Sequence, residues 1–291
     1  MTSDGDSSSI PGVDRRTIVL TATALVAFAA NSLLCRLALA TQRIDAASFT
    51  AIRLASGAIV LALLALRRGG GKGAGSWWSA AALFLYAAPF SYAYLRISTG
   101  IGSLVAFGAV QATMIGWGIA RGERPRVAVW MGLVIAIGGL VGLTAPGATA
   151  PDPVGALIMA VAGIAWAVYS LRGRTPGADP VATNASNFAR TMPLVAVLVA
   201  SAAAMGGLHA SPRGVLLAVA SGALASGLGY SIWYAALQSL TATRAAILQL
   251  LVPILAASGG IVLLDERVTF RLVVAGVAVL AGVALAARAR A

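Results

Sequence analysis

The stretch Gly122-Glu123-Arg124-Pro125 leads into an apolar segment carrying Gly132 and Gly138, and Asp265-Glu266-Arg267-Val268 leads into another carrying Gly276 and Gly282. The two copies lie 143 or 144 residues apart, half the chain. Working outward, Phe28-Ala29-Ala30-Asn31-Ser32-Leu33 matches Trp166-Ala167-Val168-Tyr169-Ser170-Leu171 at an offset of 138. Arg53 matches Arg190 at 137, and Phe90, Ser91 and Tyr94 match Tyr230, Ser231 and Tyr234 at 140. The offset drifts slowly, as loop insertions would make it do. Ala- and Leu-rich segments match each other by chance, but ordered matches that include aromatics, an arginine and a Glu-Arg pair do not. Self-similarity on this scale implies two related halves.

Composition fixes the solvent. The chain is 59% hydrophobic and 10% charged, where a soluble domain carries about 25% charged residues, and its mean hydropathy is +0.89. So much apolar surface requires a bilayer around it. A spanning helix needs roughly 20 apolar residues, and ten such spans are predicted: 17–39, 45–66, 77–97, 99–120, 127–144, 154–173, 180–204, 212–237, 241–263 and 269–287. Residues 1–14 read as a disordered, Ser/Asp/Gly-rich N-terminus without a signal peptide, 15–146 as the first five-helix repeat, 147–153 as a linker and 154–291 as the second repeat. The expected fold is an all-α membrane protein of ten transmembrane helices in two inverted five-helix repeats.

Orientation follows from charge. With the N-terminus inside, thirteen Lys and Arg residues fall on the cytoplasmic side, while Arg43, Arg96, Arg213, Arg267 and Arg271 make five on the other. That asymmetry places both termini in the cytoplasm of a bacterial-type inner (plasma) membrane. An odd number of spans per half then inverts one half relative to the other. The net charge of +12 is accounted for by this distribution, so no nucleic-acid partner is expected. The single cysteine, Cys35, and single histidine, His209, allow neither an internal disulfide nor a metal cluster, and no cofactor is expected. The expected partners are the lipid bilayer and a small-molecule substrate, with the chain a monomer or a homodimer.

These features resemble the drug/metabolite transporter superfamily, in particular its EamA-type ten-helix transporters. The residues that carry the resemblance are Arg53 and Arg190, the paired Glu-Arg turns, the glycines of spans five and ten, and Pro253. It extends over about residues 17–288. It implies two inverted five-helix units around a central cavity and export of small metabolites or drugs. The aromatic content is similar to that of YddG-like amino acid exporters. One departure is that Val110-Gln111 stands in span four where span nine has Val252-Pro253.

The candidate substrate-binding residues are polar and aromatic side chains within spans. Phe28 and Asn31, Trp166 and Tyr169, and Ser91 and Tyr94 are spaced to share helix faces. Phe107 and Gln111 in span four, Tyr230 and Tyr234 in span eight, and Gln249 in span nine complete the set. Each competes with a packing role, since buried amides and hydroxyls also bond across helices. Arg53 and Arg190 are read as structural intramembrane charges whose guanidinium groups satisfy carbonyls at neighbouring helix ends, with attraction of a substrate carboxylate as the other role. Glu123 and Glu266 are expected to pair with Arg124, Arg267 or helix ends. No Asp or Glu falls inside a span, which disfavours proton coupling.

The functional expectation is a transporter that exports small organic metabolites, most of all amino acids of aromatic or broad range, by alternating access. Alternatives are a multidrug or lipophilic-cation exporter and, in a different class, a membrane-embedded lipid-modifying enzyme, against which the lack of any catalytic constellation counts. The predicted topology is testable by cysteine accessibility in a Cys35→Ala background. Thr2→Cys, Gly71→Cys and Ala291→Cys should resist an impermeant thiol reagent in intact cells while Ala148→Cys reacts. Labelling at position 291 with protection at 148 would reverse the orientation.

Overall fold

The structure, a computed structural model, describes residues 14–69, 71–124, 126–144 and 151–288. These residues are helical and contain no strand beyond an isolated bridge between Ile44 and Ala210. The helices are α1 (Arg15–Ala40), α2 (Ala46–Arg67), α3 (Trp77–Ala93), α4 (Thr99–Ala120), α5 (Val127–Thr144), α6 (Pro153–Arg172) and α7 (Pro180–Ala204). They continue as α8 (Pro212–Ala220), a π-helical stretch Ser221–Leu228, α9 (Gly229–Leu237), α10 (Ala242–Gln249), α11 (Val252–Leu264) and α12 (Phe270–Arg288). Seven helical segments among the described residues are long and apolar enough to cross a membrane, with α8 to α9 and α10 to α11 each counting as one.

Helix starts are written in the sequence as caps. Asp14, Asp45, Asp152 and Asp179 each accept a hydrogen bond from the backbone N–H three residues on, as do Ser76, Ser211 and Thr241. These bonds satisfy donors that an N-terminus otherwise leaves orphaned, and a carboxylate there also meets the positive end of the helix dipole.

Three predicted spans differ in detail. Span three stops at Ala93 rather than at 97, because the chain turns through Tyr94 to Ser98 before α4. Span eight carries the π-helical stretch in its middle. Span nine breaks between Gln249 and Val252. Pro253 has no N–H to give and its ring crowds the carbonyl four residues back, which is that of Gln249.

Glu123 and Glu266 each cap a helix far away in sequence. Glu123 accepts bonds from the backbone N–H groups of Ala242 (3.1 Å) and Thr243 (3.2 Å) and from Thr243 Oγ1, at the start of α10. Glu266 accepts from Thr99 N (2.8 Å) and Oγ1 (3.0 Å) at the start of α4, and pairs with Arg36 at 3.4 Å. Ser98, the residue that would cap α4, makes no such bond. Helix ends, and not Arg124 or Arg267, are therefore what the two carboxylates hold. Arg36 reaches Glu266 and the Tyr94 carbonyl.

The two turns are built alike, though the second is one residue longer. Gly122 and Asp265, immediately before the glutamates, have positive φ (90° and 52°). Both glutamate N–H groups bond back to a glycine carbonyl, Gly118 and Gly260. A Cβ on Gly118 would lie 2.7 Å from Glu123 Oε2, and one on Gly260 would press on Glu266 Oε2 in the same way.

Loop contacts sort into two sets. At one end Asp45 bonds His209, Ser211 bonds Arg43, and Arg96 pairs with Asp152 at 3.1 Å. At the other, Asp179 bonds Lys72, and Gln238 bonds Ala178. Between the ends, α2 packs on α7, α3 and α4 pack on α6, and α5 packs on α12. The glycine-bearing faces of α5 and α12 meet each other, with Gly139 against Ala278. Large apolar side chains such as Val134, Leu216 and Phe270 remain exposed, as the lipid-facing surface of a bundle requires.

Removing the carboxylate at 266 orphans the first donors of α4 and leaves Arg36 with only the Tyr94 carbonyl. Glu266→Ala should therefore cost about 1–3 kcal/mol, read as a lower melting temperature in detergent. Glu123→Ala, at the start of α10, should do the same, and the two losses should add, since the sites share no residue.

Candidate functional site

The centre of the bundle is an aromatic cluster. Phe28 on α1 meets Trp166 on α6 edge-to-face at 5.0 Å, and Trp166 meets Tyr230 on α9 at 4.6 Å. Tyr86 and Phe90 of α3 lie against each other at 5.1 Å, and Tyr86 lies 5.0 Å from Trp166. Phe28, Tyr86, Phe90, Phe107 and Trp166 surround a cavity of about 10 Å³, room for about one water.

Polar groups are threaded through this cluster. Asn31 donates to the Tyr86 hydroxyl (3.1 Å) and accepts from Ser221 (2.7 Å) and Ser226 (3.4 Å). Both serines come from the π-helical stretch, where the backbone widens from the α-helical pattern, a feature frequent at functional sites. Tyr230 donates to the Tyr86 hydroxyl at 3.3 Å.

Arg53 lies behind Tyr86 and Phe90, fully buried, its guanidinium carbon 5.1 and 5.3 Å from their ring centroids. Its Nε donates to Ser226 (2.9 Å) and its Nη2 to Tyr230 (2.6 Å), but Nη1 has no partner. Arg190 is different. It is half-buried and bonds Ser186 of its own helix, at the carbonyl (3.1 Å) and the hydroxyl. Neither arginine holds the carbonyls of a neighbouring helix end. Arg53 finds hydroxyls because the π-helical stretch brings Ser226, and α9 just after it Tyr230, within reach, whereas Ser186 lies four residues back on α7 and captures Arg190 locally.

Trp166 donates to Gln249 Oε1 at 2.7 Å, where span nine breaks. Gln249 also donates to Met114 Sδ and the Ala245 carbonyl, and Gln111 donates to the Ala246 carbonyl. The remaining candidates lie further out. Ser91 bonds Thr50, and Tyr94 bonds Ser103 beyond Phe90. Tyr169 donates to Asn184 and Tyr234 to the Tyr169 carbonyl. Phe28, Phe107 and Trp166 thus reach the cavity wall, Asn31 and Tyr230 the network behind it, and Gln111 and Gln249 its flank. Tyr94 packs on Phe90 at 4.8 Å and Tyr169 on Trp166 at 5.9 Å, one layer behind the cavity wall, while Ser91 and Tyr234 make contacts apart from it. Sequence reasoning passed over Tyr86, Phe90 and Ser226. The i, i+4 spacing of Tyr86 and Phe90 in span three was an available signal, but nothing marked Ser226.

A second cavity, of about 780 Å³, opens between the ends of α3, α4 and α6 and is lined by Ser79, Thr113, Trp117, Arg121, Arg172 and Arg174 among others. Arg121 stacks on Trp117 at 4.6 Å, and Arg172 bonds Ser79 and Ser76. The aromatic cavity is lined by the same three helices further along, through Phe90, Phe107 and Trp166.

An all-helical bundle of apolar spans with large apolar side chains on its outer surface defines a helical membrane protein. The EamA-like transporter family model matches residues 153–288. An uncharacterized protein of Pseudomonas aeruginosa is 52% identical over 274 residues, covering 94% of each chain. An uncharacterized transporter of Archaeoglobus fulgidus is 27% identical over 245 residues, 78% of this chain and 82% of the relative. A solved crystal structure superposes with a TM-score of 0.66 at 21% identity, covering 91% of this chain and 96% of that one, and shares the fold. The chain belongs to the EamA-like transporter family. It is a multi-pass integral membrane transporter of small molecules and not an enzyme.

The Trp166–Gln249 bond ties the cavity wall to the broken span. Trp166→Phe and Gln249→Ala should each cost about 1–3 kcal/mol by leaving a buried polar group unpaired. The double variant should lose less than the sum of the singles, in a melting-temperature cycle.

Proposed function

We propose that this transporter exports small organic metabolites, most of all amino acids of aromatic or broad range, by alternating access and without proton coupling. The observation that carries the reading is the course of α3, α4 and α6. They line a vestibule open at one end and, further along, an aromatic cavity closed at the centre. Two inverted five-helix repeats, 15–146 and 154–291 around the linker 147–153, are the machine proposed to switch access. Their support is the matched construction of the two glutamate turns, each of which caps the fourth helix of the opposite half. Sites at the interface of such repeats, next to discontinuous helices, suit alternating access.

The vestibule end carries Arg121, Arg172 and Arg174. By the positive-inside rule this end faces the cytoplasm of the inner membrane, with both termini on the same side. The shape is then inward-facing, ready to load from the cell. The substrate would place an apolar side chain among Phe28, Phe107 and Trp166, with Asn31, Tyr230 and Gln249 as the polar groups around it. Tyr94, Ser91, Tyr169, Tyr234 and Gln111 would shape the helix contacts that open and close. A lipophilic cation would meet the Arg53 charge behind the rings, which weighs against the cation-exporter alternative.

Uncoupled operation rests on where the acids are. The seven Asp and Glu residues among those the structure describes lie outside the helices or at their caps, so none of them is placed to carry a proton across. Proteoliposomes loaded with labelled phenylalanine should therefore equilibrate it with no pH or sodium gradient. Concentrative uptake under an imposed proton gradient would reject the uncoupled mechanism.

A further inference from the structure

The transport reading leaves one group unexplained. Arg53 is fully buried, and among the described residues its Nη1 has no hydrogen-bond partner and no carboxylate pairs with it. A guanidinium in hydrocarbon without a counter-ion is expensive, and ring faces and two hydroxyls repay only part of that. Among the described residues no acid is placed to neutralise it. Asp14, Asp45, Asp152 and Asp179 cap their own helices, Glu123 and Glu266 cap α10 and α4, and Asp265 sits in a left-handed turn. Asp4 and Asp6 belong to the polar N-terminal segment.

We propose that the missing counter-ion is the cargo: Arg53 is the anion-binding centre of this site, and the transported molecule carries a carboxylate that its Nη1 binds. This rests on the transport reading and names the substrate's chemistry. Tyr86 and Phe90 stand between the guanidinium and the central cavity, each lining the cavity and each stacked on Arg53. Rotation of these two rings, as α3 parts from α6, would bring Nη1 to the cavity. One Nη1 carries two N–H donors, which suits a carboxylate and falls short of what a dianionic phosphate would demand in an otherwise apolar chamber. The vestibule adds an independent sign. Arg121, Arg172 and Arg174 line it, and among the described residues none of the three is in an ion pair. The approach therefore draws anions toward the same three helices.

The two hydroxyls that accept from Arg53 keep partners without it, since Ser226 still donates to Asn31 and Tyr230 to Tyr86. Arg53→Met, similar in length and uncharged, should therefore fold, and removal of an unpaired buried charge should leave its melting temperature unchanged or raised.

The test uses the full chain in lipid nanodiscs, with tryptophan fluorescence titrated by phenylalanine, phenylalaninamide, 3-phenylpropionate and chloride. The wild type should respond saturably to phenylalanine and 3-phenylpropionate, and the amide should bind about tenfold more weakly or worse. Arg53→Met should lose the preference for acid over amide, and Arg53→Lys should keep part of it. Equal binding of acid and amide by the wild type would overturn the proposal, as would an unchanged acid preference in Arg53→Met. Saturation by chloride alone would assign the site to an inorganic anion and also overturn it. A less stable Arg53→Met with the acid preference intact would return Arg53 to a purely structural role. Flux of phenylalanine and its amide into proteoliposomes separates the two readings. Equal flux of both sinks the carboxylate site and leaves transport standing, whereas binding without any flux sinks the transport reading.

Discussion

The structure depends on how a membrane protein spends its few carboxylates. Four aspartates close the N-termini of the helices they precede, and two glutamates reach across to close α4 and α10. Each holds orphan N–H donors where hydrocarbon gives way to water, and each adds a negative charge at the positive end of a helix dipole. The two glutamates do more than cap. They tie the turn before α12 to α4 and the turn before α5 to α10, and the glycines at 118 and 260 leave the room each carboxylate needs. At each end of the bundle a turn is thereby tied to a helix start, while among the described residues the middle is left without acid.

That middle is held differently. Rings pack edge-to-face around Phe28, Trp166 and Tyr230, and hydroxyls and amides thread between them. Two departures from regular helix put polar groups there. The π-helical stretch turns Ser221 and Ser226 toward Asn31 and Arg53, and the break before Pro253 leaves Gln249 to meet Trp166. In an apolar solvent such irregular backbone is tolerated where neighbouring side chains satisfy it. It also marks the places where a helix can flex, which a protein that alternates between two shapes requires.

The apolar spans were legible because the bilayer imposes length and composition on each helix separately, and the caps were legible because they are local. Trp166 and Gln249 stood out as polar groups in apolar segments, but their bond joins residues 83 apart in sequence and follows from packing. Tyr94 and Tyr234 looked like cavity residues by helical spacing and instead bond Ser103 and the Tyr169 carbonyl, because spacing names a shared face without saying what that face meets. Arg53 and Arg190 occupy matched positions, yet one lies in an aromatic cage and the other folds back on its own helix. The neighbours differ although the positions correspond.

The sequence by itself determined the solvent, the helical class, the paired turns and the absence of acid within the spans. Each of these depends on composition or on residues close together in the chain. Only the tertiary structure decided which helix each glutamate caps, which aromatic rings enclose the cavity, and that Arg53 is buried with one nitrogen unpaired. Those outcomes depend on contacts between distant segments, where packing and the need to satisfy every buried polar group choose among partners that the sequence leaves equivalent.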